Sequence, residues 1–165
     1  MVRFLRIYWE FIKVYLRSKL EYRQAFIIDI MSNFILISMF YAGISAIFNN
    51  FSSINGWTYY EVMFLYTLNL LCASVSGLFF WGPMISLEGL VQNGQFDLFL
   101  TKPINPLLHM ISRHFQHTYI GWIIPIPFVF LICFSYLEIS WSILKVILFV
   151  IFIIGGVMIN ASIFL

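Results

Sequence analysis

Three histidines and one arginine in the second half of the chain are the side chains with the most obvious chemical potential. His109, Arg113 and His117 are spaced by four residues, and His114 lies three residues before His117. Side chains three or four residues apart share a helix face, so a pair of these imidazoles could bind a metal ion. No carboxylate or cysteine completes a ligand set there, so the sequence favours a polar helix start at a membrane interface.

Motifs for nucleotide or metal chemistry are missing from the sequence. The chain has no GxxxxGK[ST] phosphate loop, no HExxH and no cysteine pairs with zinc spacing. Cys72 and Cys133 lie within apolar stretches, where we expect them to act as small apolar fillers. We therefore expect no catalytic residue, no cofactor and no metal. Nucleic-acid binding has no support beyond an N-terminal basic stripe, which its apolar neighbours assign to lipid.

A second group of polar or helix-breaking residues lies inside apolar stretches. Asp29 and Asn33 are one helical turn apart, Asn69 is the lone amide of its stretch, and Pro125 and Pro127 should kink a helix. Each is a candidate for lining a transport pathway. The alternatives are hydration or basic pairing of the carboxylate, helix packing around the amides, and an ordinary packing kink at the prolines.

Composition identifies the elements that must hold these residues. Of the 165 residues, 62% are hydrophobic and 10% are charged, against about 45–50% and 25% in soluble domains. Continuous apolar runs, each long enough to cross a hydrocarbon core of about 30 Å, predict an all-α membrane helix bundle and disfavour a β-barrel. We expect one transmembrane domain whose four spans are residues 25–48, 59–82, 108–134 and 141–165.

The N-terminal segment, residues 1–22, predicts a helix that lies in the membrane interface. Its charged residues recur every three or four positions and form one stripe among apolar neighbours: Arg3, Arg6, Glu10, Lys13 and Arg17. A solvated charged flank of the first span is the alternative. Six of the nine Lys and Arg precede that span, whereas residues 49–60 contain none. The positive-inside rule therefore places the N-terminus in the cytosol.

Residues 84–107, between the second and third spans, form the one internal segment with clustered turn residues and charge. A short helix over 85–92 should stop at Asn93-Gly94, because these residues adopt the left-handed conformation that ends helices. If the following residues are helical, Phe96, Phe99 and Leu100 lie on one side of the helix and Asp97 lies on another. Prolines at 103 and 106 prevent a continuous helix into the third span. We expect a bent apolar platform at the cytosolic surface that meets another protein.

This segment resembles the cytosolic signature of permease subunits of type-2 ATP-binding-cassette transporters. In that signature the second span is followed by a glycine, a short run of apolar and acidic residues, a pair of leucines and a proline. The matching positions here are Gly94, Phe96, Asp97, Leu98, Leu100, Lys102 and Pro103. The Lys-Pro-x-Asn-Pro ending and the Tyr22-Arg23 pair before the first span are most similar to the six-helix branch. Where many of these permeases carry a Glu and Arg cluster, Glu88 is the one nearby acid.

The resemblance implies an exporter permease without an active site, in the plasma or inner membrane of a bacterium. ATP would be bound and hydrolysed by a separate cytosolic ATPase, with a second permease copy or paralogue and membrane lipid as further partners. The residues that would couple to the ATPase are Glu88, Gly94, Phe96, Asp97, Phe99, Leu100, Lys102 and Pro103. A six-span family and an uncharged C-terminus also predict that the sequence is truncated after Leu165. The alternative is a non-transporting scaffold or a lipid-modifying membrane enzyme.

Overall fold

All regular elements in the described part of the chain are helices. The computed structural model describes residues 9–10, 13–14, 17, 21, 23–51, 53–101, 105–137, 140 and 142–164. The α-helices are α1 (Arg23–Phe48), α2 (Tyr59–Ser76), α3 (Gly82–Gln92), α4 (Asp97–Leu100), α5 (Pro106–Arg113), α6 (Ile120–Ile123), α7 (Ile126–Tyr136) and α8 (Ile143–Phe164). A π-helical turn, Gly77–Trp81, joins α2 to α3, and a 3-10 turn, His117–Tyr119, precedes α6.

Four stretches are long and apolar enough to cross a membrane. They are Arg23–Phe48, Tyr59–Gln92, His117–Tyr136 and Ile143–Phe164. The predicted all-α, multi-pass membrane bundle is therefore confirmed. The second of these stretches continues past the predicted end at residue 82, and the third is interrupted at Ile124 and Pro125, where the prolines predict a kink.

Most of the predicted interfacial helix, residues 1–22, lies outside the described residues. Its described positions, 9–10, 13–14, 17 and 21, are helical. Lys13 Nζ donates a hydrogen bond of 2.9 Å to Glu10 Oε1, one turn away. Both side chains are exposed, so this ion pair contributes little to the free energy of folding.

Helix α2 is the centre of the bundle, and α6, α7 and α8 pack along it. One buried cluster joins the first three spans through Ile37, Leu70 and Ile126. A second lies nearer the start of α2, where Met63 packs against Val129 and Cys133 of α7. Burial of these side chains holds the third span against the second, so the segment between those spans has both its ends fixed.

Candidate coupling segment and its supporting contacts

Residues 82–113 fold as short helices connected by a tight turn, and this region contains the predicted partner-binding residues. Helix α3 ends at Gln92, and Gly94 follows with a left-handed φ of 66°, the conformation predicted for a helix stop. The backbone N–H groups of Gln95 and Phe96 both donate to the carbonyl oxygen of Leu90, at 2.9 and 3.0 Å. These two hydrogen bonds close the turn between α3 and α4.

Helix α4 separates one buried aromatic residue from two exposed leucines. Phe99 is 2% exposed, whereas Leu98 and Leu100 are 62% and 56% exposed. The Phe99 ring lies 4.7 Å from the His109 ring, and the Arg113 guanidinium lies 5.8 Å from the Phe99 centroid. The sequence predicted that Phe99 would face a partner together with Leu100. In the structure the Phe99 ring is instead buried and attaches α4 to α5.

The remaining predicted coupling residues surround this helix or lie beyond the described ranges. Phe96 is half-buried, while Asp97 and Glu88 are exposed. Glu88 Oε1 accepts a hydrogen bond of 3.1 Å from Gln92 Nε2 within α3. Lys102 and Pro103 lie outside the described residues.

A backbone contact joins the beginning of α3 to the chain that precedes the third span. The Gln116 N–H donates to the Leu78 carbonyl oxygen at 3.1 Å. Pro83, five residues after Leu78, has no N–H to donate to that oxygen, whereas Gln116 donates to it from another part of the chain. Gly82 lies directly against the His114 backbone, and a Cβ atom at Gly82 would overlap the His114 carbonyl oxygen. We call this contact the Gly82–His114 junction.

Polar side chains also connect α1 to the start of the third span. Asp29 Oδ2 lies 3.4 Å from His117 Nε2, and Trp122 Nε1 donates to Asn33 Oδ1 at 2.7 Å. Between them Gly121 approaches the α1 backbone, where an added Cβ would lie 2.7 Å from the Ile30 carbonyl oxygen. Asp29 and Asn33 thus serve in helix contacts, and the partner of the carboxylate is an imidazole.

The other candidate pathway residues are not part of this contact. Asn69 is exposed in the middle of α2. Pro125 and Pro127 lie at the junction of α6 and α7, where the helix is interrupted. No three His, Cys, Asp or Glu side chains cluster as metal ligands among the described residues.

Sequence reasoning did not predict the contacts of Trp122, Gly121 or Gly82. Trp122 and its partner Asn33 are 89 residues apart, and a glycine in an apolar stretch does not reveal which backbone approaches it. The one available signal was a polar residue within a span, and of the residues in this contact it identified only Asn33 and Asp29.

Replacing Trp122 with phenylalanine should weaken the attachment of the third span to α1. The ring is largely retained, but Asn33 Oδ1 loses its indole donor, at a cost of about 1 kcal/mol in the free energy of unfolding. Thermal unfolding in mild detergent measures the change, and Asn33→Leu completes a double-mutant cycle. If Trp122→Phe lowered the free energy of unfolding by the same amount in the wild type and in Asn33→Leu, the hydrogen bond would contribute nothing to stability.

His114 should make the stability of the protein sensitive to mild acid. Burial, with Arg113 and His109 nearby, lowers the pKa of His114 from its ordinary 6.5, and Nε2 is buried without a hydrogen-bond partner among the described residues. The unfolded chain therefore binds this proton first as the pH falls. The free energy of unfolding should decrease as the pH drops below about 6.5 towards the folded-state pKa.

Melting temperatures at pH 7.5 and 5.5 test this, with His114→Gln as the comparison variant. The wild type should lose more stability than His114→Gln between these pH values, because the variant lacks the titrating group. The same loss in both proteins would assign the acid sensitivity to other residues.

The sequence matches the model of a known protein family. The family described as ABC-2 family transporter protein matches residues 34–165, which is well over half of the chain. No curated protein and no solved structure matches the sequence. The matched range contains most of α1 and all of the segment between the second and third spans.

Proposed function

Because the chain belongs to the ABC-2 family of transporter proteins, we propose that it is an exporter permease driven by a separate cytosolic ATPase. Residues 84–107 form the coupling segment, meaning the part that docks on the ATPase. ATP and its Mg²⁺ belong to the partner, and this chain supplies the membrane path. The coupling segment and the N-terminus lie on the cytosolic side of a cell membrane.

The observation that carries the proposal is the outward face of α4. Leu98 and Leu100 are exposed on α4, and Phe96 beside them is half-buried. Apolar and aromatic side chains that become fully desolvated supply most of the energy of a protein interface. Asp97, exposed between them, provides a carboxylate for a basic side chain or a helix N-terminus of the ATPase.

The fold also supplies a way to transmit motion from this face to the membrane. Phe99 attaches α4 to α5, and the Gly82–His114 junction attaches α3 to the chain before the third span. A displacement of α4 therefore acts on the second and third spans together. Coupling between sites requires elements that are packed against one another, and these contacts support the proposal.

Within the membrane, Asn69 is our candidate for contact with the transported substrate. Asp29 and Asn33 are engaged between α1 and the third span, whereas the Asn69 amide is exposed on α2. An exposed amide in hydrocarbon is costly unless a partner or substrate bonds it. Pro125 and Pro127 interrupt the third span and permit it to bend during transport. Few polar groups in the spans suit an amphipathic or lipid-like cargo.

Site-directed cross-linking in intact membranes tests the docking face. Leu98→Cys places a reactive thiol on α4, and Phe51→Cys places one on the turn after α1, where the side chain is also exposed. The native Cys72 and Cys133 are buried and give little background. With the candidate ATPase co-expressed, a thiol-to-amine cross-linker should join it to the Leu98→Cys protein and leave the Phe51→Cys protein unlinked.

Absence of the Leu98→Cys cross-link would favour the alternative functions. If the ATPase cross-links at neither position while both variants reach the membrane, docking through α4 is contradicted. The non-transporting scaffold or lipid-modifying enzyme would then be the better interpretation.

A further inference from the structure

Arg113, the last residue of α5, carries an exposed charge that no carboxylate neutralises within the part of the chain that the structure describes. Its guanidinium lies over the Phe99 ring, which attracts the cation but leaves its charge in place. An uncompensated guanidinium beside a cavity is a recognition group for an anion.

Arg113 lines two cavities, one of about 330 Å³ beside Phe99 and a second between α3 and the chain before the third span. The volume of the second cavity is about 240 Å³, and Gln116, Ser86 and Ile85 are among its other lining residues. Gly82 and His114 also line the cavity, so the backbone contact of the Gly82–His114 junction holds two of its walls together. The Arg113 guanidinium and the side-chain amide of Gln116 can donate hydrogen bonds, while Ile85 contributes apolar surface.

The depth of the cavity in the membrane follows from helix geometry. Tyr59 begins α2 next to Trp57, and aromatic residues of this kind occupy the membrane interface. From Tyr59 to Gly82 the helix rises about 35 Å at about 1.5 Å per residue, slightly more than a hydrocarbon core of about 30 Å. Gly82 and the cavity therefore lie at the level of the lipid headgroups, on the opposite side from Tyr59.

We propose that this cavity binds the phosphodiester of an anionic phospholipid. Arg113 pairs with the phosphate and the Gln116 side-chain amide donates to its oxygens. The Ser86 hydroxyl donates to the Pro83 carbonyl oxygen at 3.2 Å and accepts a hydrogen bond from a headgroup hydroxyl. An acyl chain lies along Met84 and Ile85, which are exposed on α3. A choline headgroup is disfavoured, because its own cation would approach the guanidinium with no carboxylate nearby to receive it. The lipid thereby joins α3 to the start of the third span.

Lipid retention measured on the full chain tests the site. The protein is purified in mild detergent, equilibrated with equimolar phosphatidylglycerol and phosphatidylcholine, and its bound lipid is quantified by mass spectrometry. The wild type should retain the anionic lipid with a preference of about fivefold or more, the size expected for one basic residue near the headgroups. Arg113→Gln should reduce this preference to near parity.

Two further variants distinguish a built site from general surface charge. Lys145→Gln removes one positive charge from a side chain whose Nζ bonds Ser140, away from the cavity, and it should keep the preference. Ser86→Leu fills the cavity while Arg113 stays, and it should lose the preference with an unchanged melting temperature.

Three results would overturn the proposal. The first is a preference retained by both Arg113→Gln and Ser86→Leu. The second is equal loss in Lys145→Gln, which would show a general charge effect. The third is displacement of the lipid by excess inorganic phosphate alone, which would assign the site to a free anion.

Discussion

Gly82→Ala is expected to prevent correct assembly of the second and third spans. The added Cβ would overlap the His114 carbonyl oxygen, and both partners are backbone, so neither can move aside by a rotamer change. Overpacking usually costs about 1–3 kcal/mol, and here we expect roughly 3 kcal/mol or more because helix α3 must shift as a whole. Thermal unfolding and the yield of monodisperse protein in detergent measure the effect.

Gly89→Ala is the matched control for this prediction. Gly89 is also in α3, and a Cβ there would meet nothing within 4 Å. Alanine is a better helix former by about 1 kcal/mol, so Gly89→Ala should be neutral or stabilising. If Gly82→Ala and Gly89→Ala melted alike, the Gly82–His114 junction would not have the structural role given to it here.

Phe99→Ala should have the second largest effect, because this ring is what attaches α4 to α5. Loss of a buried phenylalanine costs about 3–5 kcal/mol in a core, and at this small site we expect about 3 kcal/mol, confined to the coupling segment. Amide hydrogen exchange of residues 93–101 should accelerate strongly, while that of α2 stays slow. Affinity for the ATPase should fall because the docking face is no longer held in place.

Leu98→Ala separates positioning from contact. Leu98 is exposed, so its truncation should leave hydrogen exchange within the segment almost unchanged and stability within about 0.5 kcal/mol. It should still weaken ATPase binding if α4 is the docking face. Unchanged exchange in Phe99→Ala would contradict the role of that ring as the attachment.

The charge-free stretches were sufficient to predict the bundle. Each apolar run is long enough to cross a bilayer, and none alternates between apolar and polar residues as the strands of a β-barrel do. The turn after α3 was equally readable, since Asn93-Gly94 has a local conformational preference that needs no tertiary contact. These features depend on composition or on neighbouring residues in the chain.

The position of Phe99 could not be predicted in the same way. Helical spacing groups Phe96 with Phe99 and Leu100 but does not say which side faces the protein, and α4 has only four residues. Burial of the ring depends on His109 and Arg113, which lie beyond two prolines. The Gly82–His114 junction was equally hidden, because backbone proximity between distant residues leaves no pattern in one sequence.

The central claim is that the coupling segment docks on a separate ATPase, and co-purification in mild detergent tests it most directly. The wild type would be compared with Phe96→Ala and Asp97→Ala, and with Phe51→Ala as a control that removes an exposed ring elsewhere. We predict that the ATPase co-purifies with the wild type and Phe51→Ala, and that Phe96→Ala or Asp97→Ala releases it while remaining folded. Absence of the ATPase from the wild type, or its full retention by both coupling-segment variants, would contradict the account.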